Sequence, residues 1–207
     1  MAAKEVGRRE RQKQETRKML LDTALALFAT QGFGATTIDR IAEQADVARQ
    51  TVLNYFPRKE DFVRAWVDRR QQRLSILLQD ESFRNVAAVE QLAGLVKLMA
   101  GYDEQEGRIA RSISDAWLRH DSRFFADAVV PQALIAAVTR GKQCGDFDST
   151  IDADVAAEVI YDCYLQTLNR WLHSETPFSL ERALEAKLDI LVHGLRRSGR
   201  ELSTRIT

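Results

Sequence analysis

The stretch TTIDRIAEQADVARQTVLNYFPRKEDF, residues 36–62, decides which fold this sequence predicts. It contains two short apolar-periodic runs, 38–45 and 47–56, and Pro57 follows the second run at once and stops a helix there. A helix of two turns is marginal in water by itself, so two such helices persist only when they pack on a third. The stretch therefore predicts two short helices that form a compact corner against a longer neighbour.

The residues before this stretch predict the longer neighbour. An i, i+3, i+4, i+7 apolar stripe predicts a first helix, and Gly32 stands where glycine commonly ends one. This stripe consists of Leu21, Ala24, Leu25 and Phe28. Thr36 is the predicted N-cap of the second helix, with Asp39 as its capping-box partner. The third helix is predicted over about 48–56 and a fourth over about 59–79.

The third helix is predicted to expose side chains that suit the reading of DNA bases. Arginine forks onto guanine, glutamine and asparagine onto adenine, and an apolar side chain contacts the thymine methyl group. The predicted base-reading residues are Arg49, Gln50, Leu53 and Asn54. Hydroxyl and cationic side chains suit phosphate contacts, which position a protein without specifying a sequence. The predicted phosphate-contacting residues are Thr37, Thr51, Tyr55, Lys59, Arg8 and Arg9. The plainer alternative is a solvated polar face on a helical corner.

Charge is unevenly distributed along the 207 residues, although the formal net charge is zero. Residues 1–18 carry seven basic and three acidic side chains, which reads as a basic arm before the first helix. Such an arm suggests an anionic partner, although a solvated helix end has a similar composition.

Motifs for catalysis and for metal binding are missing from the sequence. Cys144 and Cys163 are not part of a CxxC pair, the three histidines are scattered, and no GxSxG, HExxH or GxxxxGK motif occurs. We therefore predict no enzyme activity, no metal and no cofactor. The charged N-terminus and the lack of a bilayer-length apolar run predict a cytoplasmic chain without membrane association.

The second half also shows helical periodicity almost throughout. We predict a boundary at 80–85 and a loop at 141–151, with helices between and beyond them. The predicted helices lie near 86–102, 105–119, 122–140, 152–173 and 179–197. The predicted fold is all-α, in two parts.

Residues 16–62 resemble the N-terminal DNA-binding domain of the TetR family of bacterial transcriptional regulators. The matching pieces are TRKMLLDTALALFATQGFGATTIDRIAEQADV, the TxxxYF of residues 51–56, and PRKEDF. Asp46 departs from the glycine usual in the family's turn, but Asp tolerates a left-handed backbone better than most residues do. The resemblance implies an arm and helix-turn-helix domain over 1–62, with the motif at about 37–56. It implies an effector-binding and dimerisation domain over 63–207.

The resemblance further implies a homodimer that binds a palindromic double-stranded DNA operator, usually as a repressor, until a small-molecule effector releases it. On the predicted helix 152–173 the polar residues fall in one narrow stripe, so this helix is buried on more than one side. The last two helices are accordingly predicted to form the dimer interface, with Leu168 and Leu188 as candidate interface positions. A helix at the centre of a monomeric core would show the same pattern.

Aromatic and sulfur-bearing residues of the second half are candidates for lining an effector cavity, although each could equally be core. These candidates are Met99, Tyr102, Trp117, His120, Phe124, Tyr161 and Tyr164. Two other functions stay open at this point. One is an architectural or partner-binding DNA-associated protein of the same fold without an effector, and a more remote one is a helical hydrolase.

Overall fold

The computed structural model describes residues 2–119 and 129–196, and in this part of the chain it contains helices and no strand. The all-α prediction is therefore confirmed. The helices are α1 (Ala2–Gln31), α2 (Ile38–Gln44), α3 (Arg49–Tyr55), α4 (Glu60–Leu78), α5 (Glu81–Arg84), α6 (Ala88–Gln105), α7 (Gly107–Arg119), α8 (Val129–Cys144), α9 (Ala153–His173) and α10 (Leu180–Leu195).

The chain divides into two compact units. Unit 1 is formed by the described residues of Met1–Gln72 and Glu106–Asp121, and unit 2 by those of Arg73–Gln105 and Ser122–Thr207. The division falls within α4, so this helix contributes to both units, and α7 belongs to unit 1. The functional division into a DNA-binding part, 1–62, and an effector and dimerisation part, 63–207, stays a prediction.

Unit 1 is built on α1, which is longer than its apolar stripe. The predicted basic arm is helical and continuous with α1, and its residues 8–19 are exposed except for the half-buried Thr16. The buried part of α1 extends from Leu20 to Phe28, and Phe28 has no exposed surface. Phe62 of α4 stacks on Phe56 at a ring distance of 4.0 Å and meets Phe28 edge-on at 6.3 Å. These aromatic contacts fix α1, α4 and the end of α3 to one another.

The junction between α1 and α2 agrees with the prediction at the end of α1, but the N-cap of α2 lies one residue later than predicted. Gly32 has a φ of 86° and its N–H donates to the Phe28 carbonyl at 3.0 Å, so the predicted glycine end of α1 is confirmed. The prediction that Thr36 is the N-cap of α2 is wrong, because the buried Thr36 hydroxyl donates to the Gly32 carbonyl instead. Thr37 is the N-cap and accepts the Arg40 N–H at 3.1 Å. Asp39 is therefore not a capping-box partner.

The corner between α2 and α3 depends on Asp46. Its φ of 52° places it in the left-handed region, which an Asp side chain tolerates better than most non-glycine residues do. Ala48 is the N-cap of α3 and makes no side-chain cap bond. Ile41 of α2 and Val52 of α3 are fully buried, so packing holds both short helices, and α3 lacks the side-chain cap that Thr37 gives to α2.

Unit 2 contains α6, α8, α9 and α10 packed around one core. α6 packs on α8 and α10, and α9 packs on the same two helices. The Glu104 carboxylate of α6 accepts the Leu180 N–H at 2.7 Å and so caps the beginning of α10. The predicted boundary at 80–85 contains the short helix α5, and the predicted loop at 141–151 begins only at Gly145, because α8 continues to Cys144.

Candidate DNA-binding interface and effector site

The exposed face of α3 carries three of the four predicted base-reading side chains. Arg49, Gln50 and Asn54 are exposed, whereas Leu53 is half-buried. The Gln50 amide donates to the Asn54 Oδ1 at 3.1 Å, one helical turn further along. The structure thus brings amide and guanidinium groups together on one surface, and these groups match the hydrogen-bonding edges of bases in the major groove.

Arg49 also contacts α2. Its Nε lies 3.0 Å from the Asp39 Oδ1, and the two side chains are 58% and 70% exposed. This ion pair crosses the corner between the two helices. Sequence reasoning missed it because Asp39 was assigned to helix capping.

Five of the six predicted phosphate-contacting residues occupy three different settings. Arg8 and Arg9 are exposed on the first part of α1, while Thr51 and Tyr55 are half-buried on α3. Thr37 uses a lone pair of its hydroxyl to cap α2, which leaves its O–H able to donate to a phosphate oxygen.

Lys59 has a structural role that the sequence did not reveal. Its ammonium donates to the carbonyls of Phe33 and Thr36 at 2.6 and 3.1 Å, with Gly34 further away at 3.4 Å. The same ammonium lies 4.3 Å from the centre of the Phe33 ring. Lys59 therefore ties the start of α4 to the connection between α1 and α2. Its predicted phosphate contact stays a prediction, and it would compete with these bonds.

Arg17 of α1 contacts the end of α3, although it was not among the predicted site residues. It is exposed on α1, and its guanidinium lies 4.9 Å from the centre of the Phe56 ring at the end of α3. The sequence signal that could have identified it is a basic residue just before the apolar stripe of the first helix.

An apolar groove lies on α9 and α10 in unit 2. It has a volume of about 240 Å³ and is lined by Ile151, Asp152, Val155, Ala156, Val159, Ile160, Leu191 and Leu195. Val155 and Val159 are 55% and 46% exposed, and the neighbouring Ile190 is 72% exposed. The prediction that Leu168 and Leu188 lie at the dimer interface is wrong, because both side chains are buried in the core of their own chain.

The predicted effector residues are only partly described. Met99 and Tyr164 are buried, Tyr102 and Tyr161 are half-buried, and the two tyrosines of α9 stack with ring centres 5.9 Å apart. The Tyr164 hydroxyl donates to the buried Asp103 Oδ2 at 2.6 Å, so that hydroxyl is engaged within unit 2. His120, Phe124 and the side chain of Trp117 lie outside the described residues.

A second cavity in unit 2 contains none of the predicted effector residues. This open cleft of about 510 Å³ is lined by Glu81, Asn85, Gln91, Ala136 and Arg140. Arg140 donates to the Val86 carbonyl at 2.5 Å. Mostly polar residues of α5, α6 and α8 and of the turn after α5 line this cleft, and no sequence pattern distinguishes them.

Within residues 2–119 and 129–196, no group of three or more His, Cys, Asp or Glu side chains could hold a metal ion. In the same part of the chain, no helix is long and apolar enough to cross a bilayer.

Comparisons with known proteins place the helix-turn-helix region in a family. Residues 20–66 match the sequence model described as bacterial regulatory proteins, tetR family. The chain is 23% identical over 193 residues to the fatty acid metabolism regulator protein of Bacillus subtilis (strain 168), which covers 89% of this chain and 98% of that protein. It is 25% identical over 179 residues to the HTH-type transcriptional repressor KstR of Rhodococcus jostii (strain RHA1), which covers 86% and 83%.

The fold is shared with solved structures along most of the chain. One is FadR of Thermus thermophilus, a TetR-family transcriptional repressor in complex with lauroyl-CoA, at a TM-score of 0.68 and 24% identity. That similarity covers 92% of this chain and 100% of the other. The matched region 20–66 contains α2 and α3. The family model therefore includes the helix that carries the exposed polar face.

Proposed function

Because this chain belongs to the tetR family of bacterial regulatory proteins, we propose that it represses transcription as a homodimer on a palindromic operator until a small molecule releases it. The chain is a DNA-binding transcriptional regulator. The observation that carries the proposal is the exposed Arg49, Gln50 and Asn54 face on a helix short enough to enter a major groove about 12 Å wide. Its place of action is the cytoplasm, where bacterial DNA lies.

The apolar groove on α9 and α10 supports the homodimer. Val155 and Val159 are exposed in the groove and Ile190 is exposed elsewhere on α10, whereas large apolar side chains on a solvated helix face favour burial. A two-fold interface brings the same patch of two copies together, so the groove of one chain would cover that of the other. The occupant that we propose is a second copy of this chain.

Long-chain acyl-CoA thioesters are the first effectors that we propose to test. The solved relative from Thermus thermophilus contains lauroyl-CoA, and that from Bacillus subtilis, at a TM-score of 0.69 and 21% identity, contains stearoyl-CoA. Apolar and aromatic side chains in unit 2, including Met99, Tyr102 and Tyr161, are of the kind that accommodates an acyl chain.

The test is a mobility shift on the DNA upstream of the chain's own gene, with and without lauroyl-CoA, and with free coenzyme A as the control. We expect lauroyl-CoA to raise the melting temperature and to weaken DNA binding. A coupling of about 1–3 kcal/mol corresponds to a change in affinity of about 5- to 150-fold. By linkage, DNA must weaken lauroyl-CoA binding by the same factor.

The outcomes separate the parts of the proposal. If lauroyl-CoA does not bind, the acyl-CoA class is wrong while regulation by another effector stands. If it binds and leaves the affinity for DNA unchanged, release by this ligand is wrong, and an architectural protein of the same fold is favoured. No specific DNA binding under any of these conditions would contradict the proposed function itself.

A further inference from the structure

The ion pair between Asp39 and Arg49 contributes little to the stability of the fold. Both side chains are more than half exposed, and exposed pairs of this kind contribute little to folding. Asp39 belongs to the first turn of α2 and Arg49 is the first residue of α3, so the pair joins the two helices of the DNA-binding corner.

The contacting atom determines how Arg49 can meet a base. A guanidinium has five N–H donors in a planar fork and can offer either its Nε edge or its two terminal nitrogens. The Asp39 Oδ1 lies 3.0 Å from Nε. With the Nε edge beside this carboxylate, the two terminal nitrogens remain as the pair that can donate in parallel to O6 and N7 of guanine.

We propose that Asp39 is a positioning residue for base reading, whose carboxylate holds the Arg49 guanidinium by Nε and directs its terminal nitrogens to a guanine. This inference depends on the proposed function, because it requires Arg49 to contact DNA. It adds a specificity determinant on α2, a helix that the sequence assigned to packing and phosphate contact.

A direct role of Asp39 in reading a base is the competing explanation, since a carboxylate accepts from the N4 amino group of cytosine. The two explanations differ in their dependence on Arg49. A positioning residue loses its effect once Arg49 is removed, whereas a residue that reads a base by itself keeps it.

Glu43 offers a matched control on the same helix. Its Oε2 pairs with the Arg40 Nη1 at 2.6 Å, and this exposed ion pair lies within α2 and includes no residue of α3. Glu43→Gln and Asp39→Asn each remove one negative charge from α2 and break one exposed pair. Both are therefore expected to strengthen non-specific DNA binding alike, through weaker repulsion of the phosphates.

The experiment uses the full chain and a 30-bp duplex selected from random DNA by the wild-type protein, together with all single base-pair substitutions of one half-site. We expect Arg49→Ala to abolish preference at one G·C pair, a discrimination of about 5- to 150-fold for a good bidentate contact. Asp39→Asn should reduce the preference at that same pair by about fivefold or more, while Glu43→Gln leaves it unchanged. Adding Asp39→Asn to Arg49→Ala should have no further effect on preference.

Each alternative outcome is decisive. If Arg49→Ala changes no preference, the proposed base contact of Arg49 fails, and the positioning role fails with it. If Arg49→Ala relaxes one position but Asp39→Asn does not, the positioning role alone is overturned. It is also overturned if Asp39→Asn still shifts preference in the Arg49→Ala background, which indicates direct reading. Thermal melts and a parallel series with Asp39→Ala exclude loss of folding as the cause.

Discussion

Lys59 illustrates at the residue scale how a surface cation can serve the fold. Its ammonium is bonded to the carbonyls of Phe33 and Thr36, and it lies over the Phe33 ring. These bonds join the beginning of α4 to the segment that leads into α2. From sequence alone, a lysine at the start of a helix suggests a phosphate contact. The structural role of Lys59 is not visible there, because the carbonyls that it contacts are distant along the chain.

Replacing Lys59 by Met tests this structural role, because Met keeps an apolar stem over the Phe33 ring and removes the ammonium. Hydrogen bonds to a charged group contribute about 1.5–3 kcal/mol each, and water replaces part of this, so we expect a loss of about 1–3 kcal/mol of unfolding free energy. Urea titration at fixed protein concentration measures it.

Arg58→Met is the matched control for Lys59→Met. Arg58 is an exposed neighbour whose backbone N–H, rather than its side chain, bonds to Asp61, so the expected change is within about 0.5 kcal/mol. Unchanged stability of Lys59→Met, together with a salt dependence of DNA binding that falls by about one ion, would instead favour the phosphate contact.

At the scale of elements, the helices of the DNA-binding corner could be predicted from local signals. Gly32 and Pro57 mark ends that depend on backbone conformation alone, and α3 was predicted to within one residue. The N-cap of α2 was misplaced because Thr36 and Thr37 are adjacent and equally suited, and only burial of Thr36 distinguishes them. Contacts between helices, such as Asp39 with Arg49, leave no periodic signal in the sequence.

Gly141 in the last turn of α8 permits a close approach between elements of unit 2. A Cβ at this position would collide with the Phe147 ring and lie 2.9 Å from the Ala88 Cβ on α6. We expect Gly141→Ala to cost about 1–3 kcal/mol of stability, the usual range for overpacking. Gly101→Ala in α6 is the control, since nothing lies within 4 Å of the added methyl group. Equal melting temperatures for the two variants would contradict the predicted collision.

At the scale of the whole molecule, the assembly depends on which apolar face meets the chain's own core. Helical periodicity identified α9 as apolar around most of its girth, but it could not assign each side, so Leu168 was mistaken for an interface residue. On α9 and α10, the large apolar side chains of Val155, Val159 and Ile190 are exposed and so remain available to a partner.

Val159→Asp tests the proposed dimer, because it places a charge in the apolar groove without disturbing the core. We expect the wild-type chain to sediment at twice its 23.5 kDa mass at micromolar concentration and the variant to sediment as a folded monomer. Gln132→Glu adds the same charge on the exposed surface of α8 and should remain dimeric. A monomeric wild type, or a dimeric Val159→Asp, would contradict an interface at this groove.

Selection of binding sites from random duplex DNA by the full chain tests the central claim most directly. A dimer that reads DNA through two copies of α3 must recover an inverted repeat, with half-sites one helical turn apart, about 34–36 Å, or a multiple of it. That result is what the proposed function predicts. Recovery of DNA with no common sequence, retained only at low salt, would show purely electrostatic binding and would contradict sequence-specific regulation through α3.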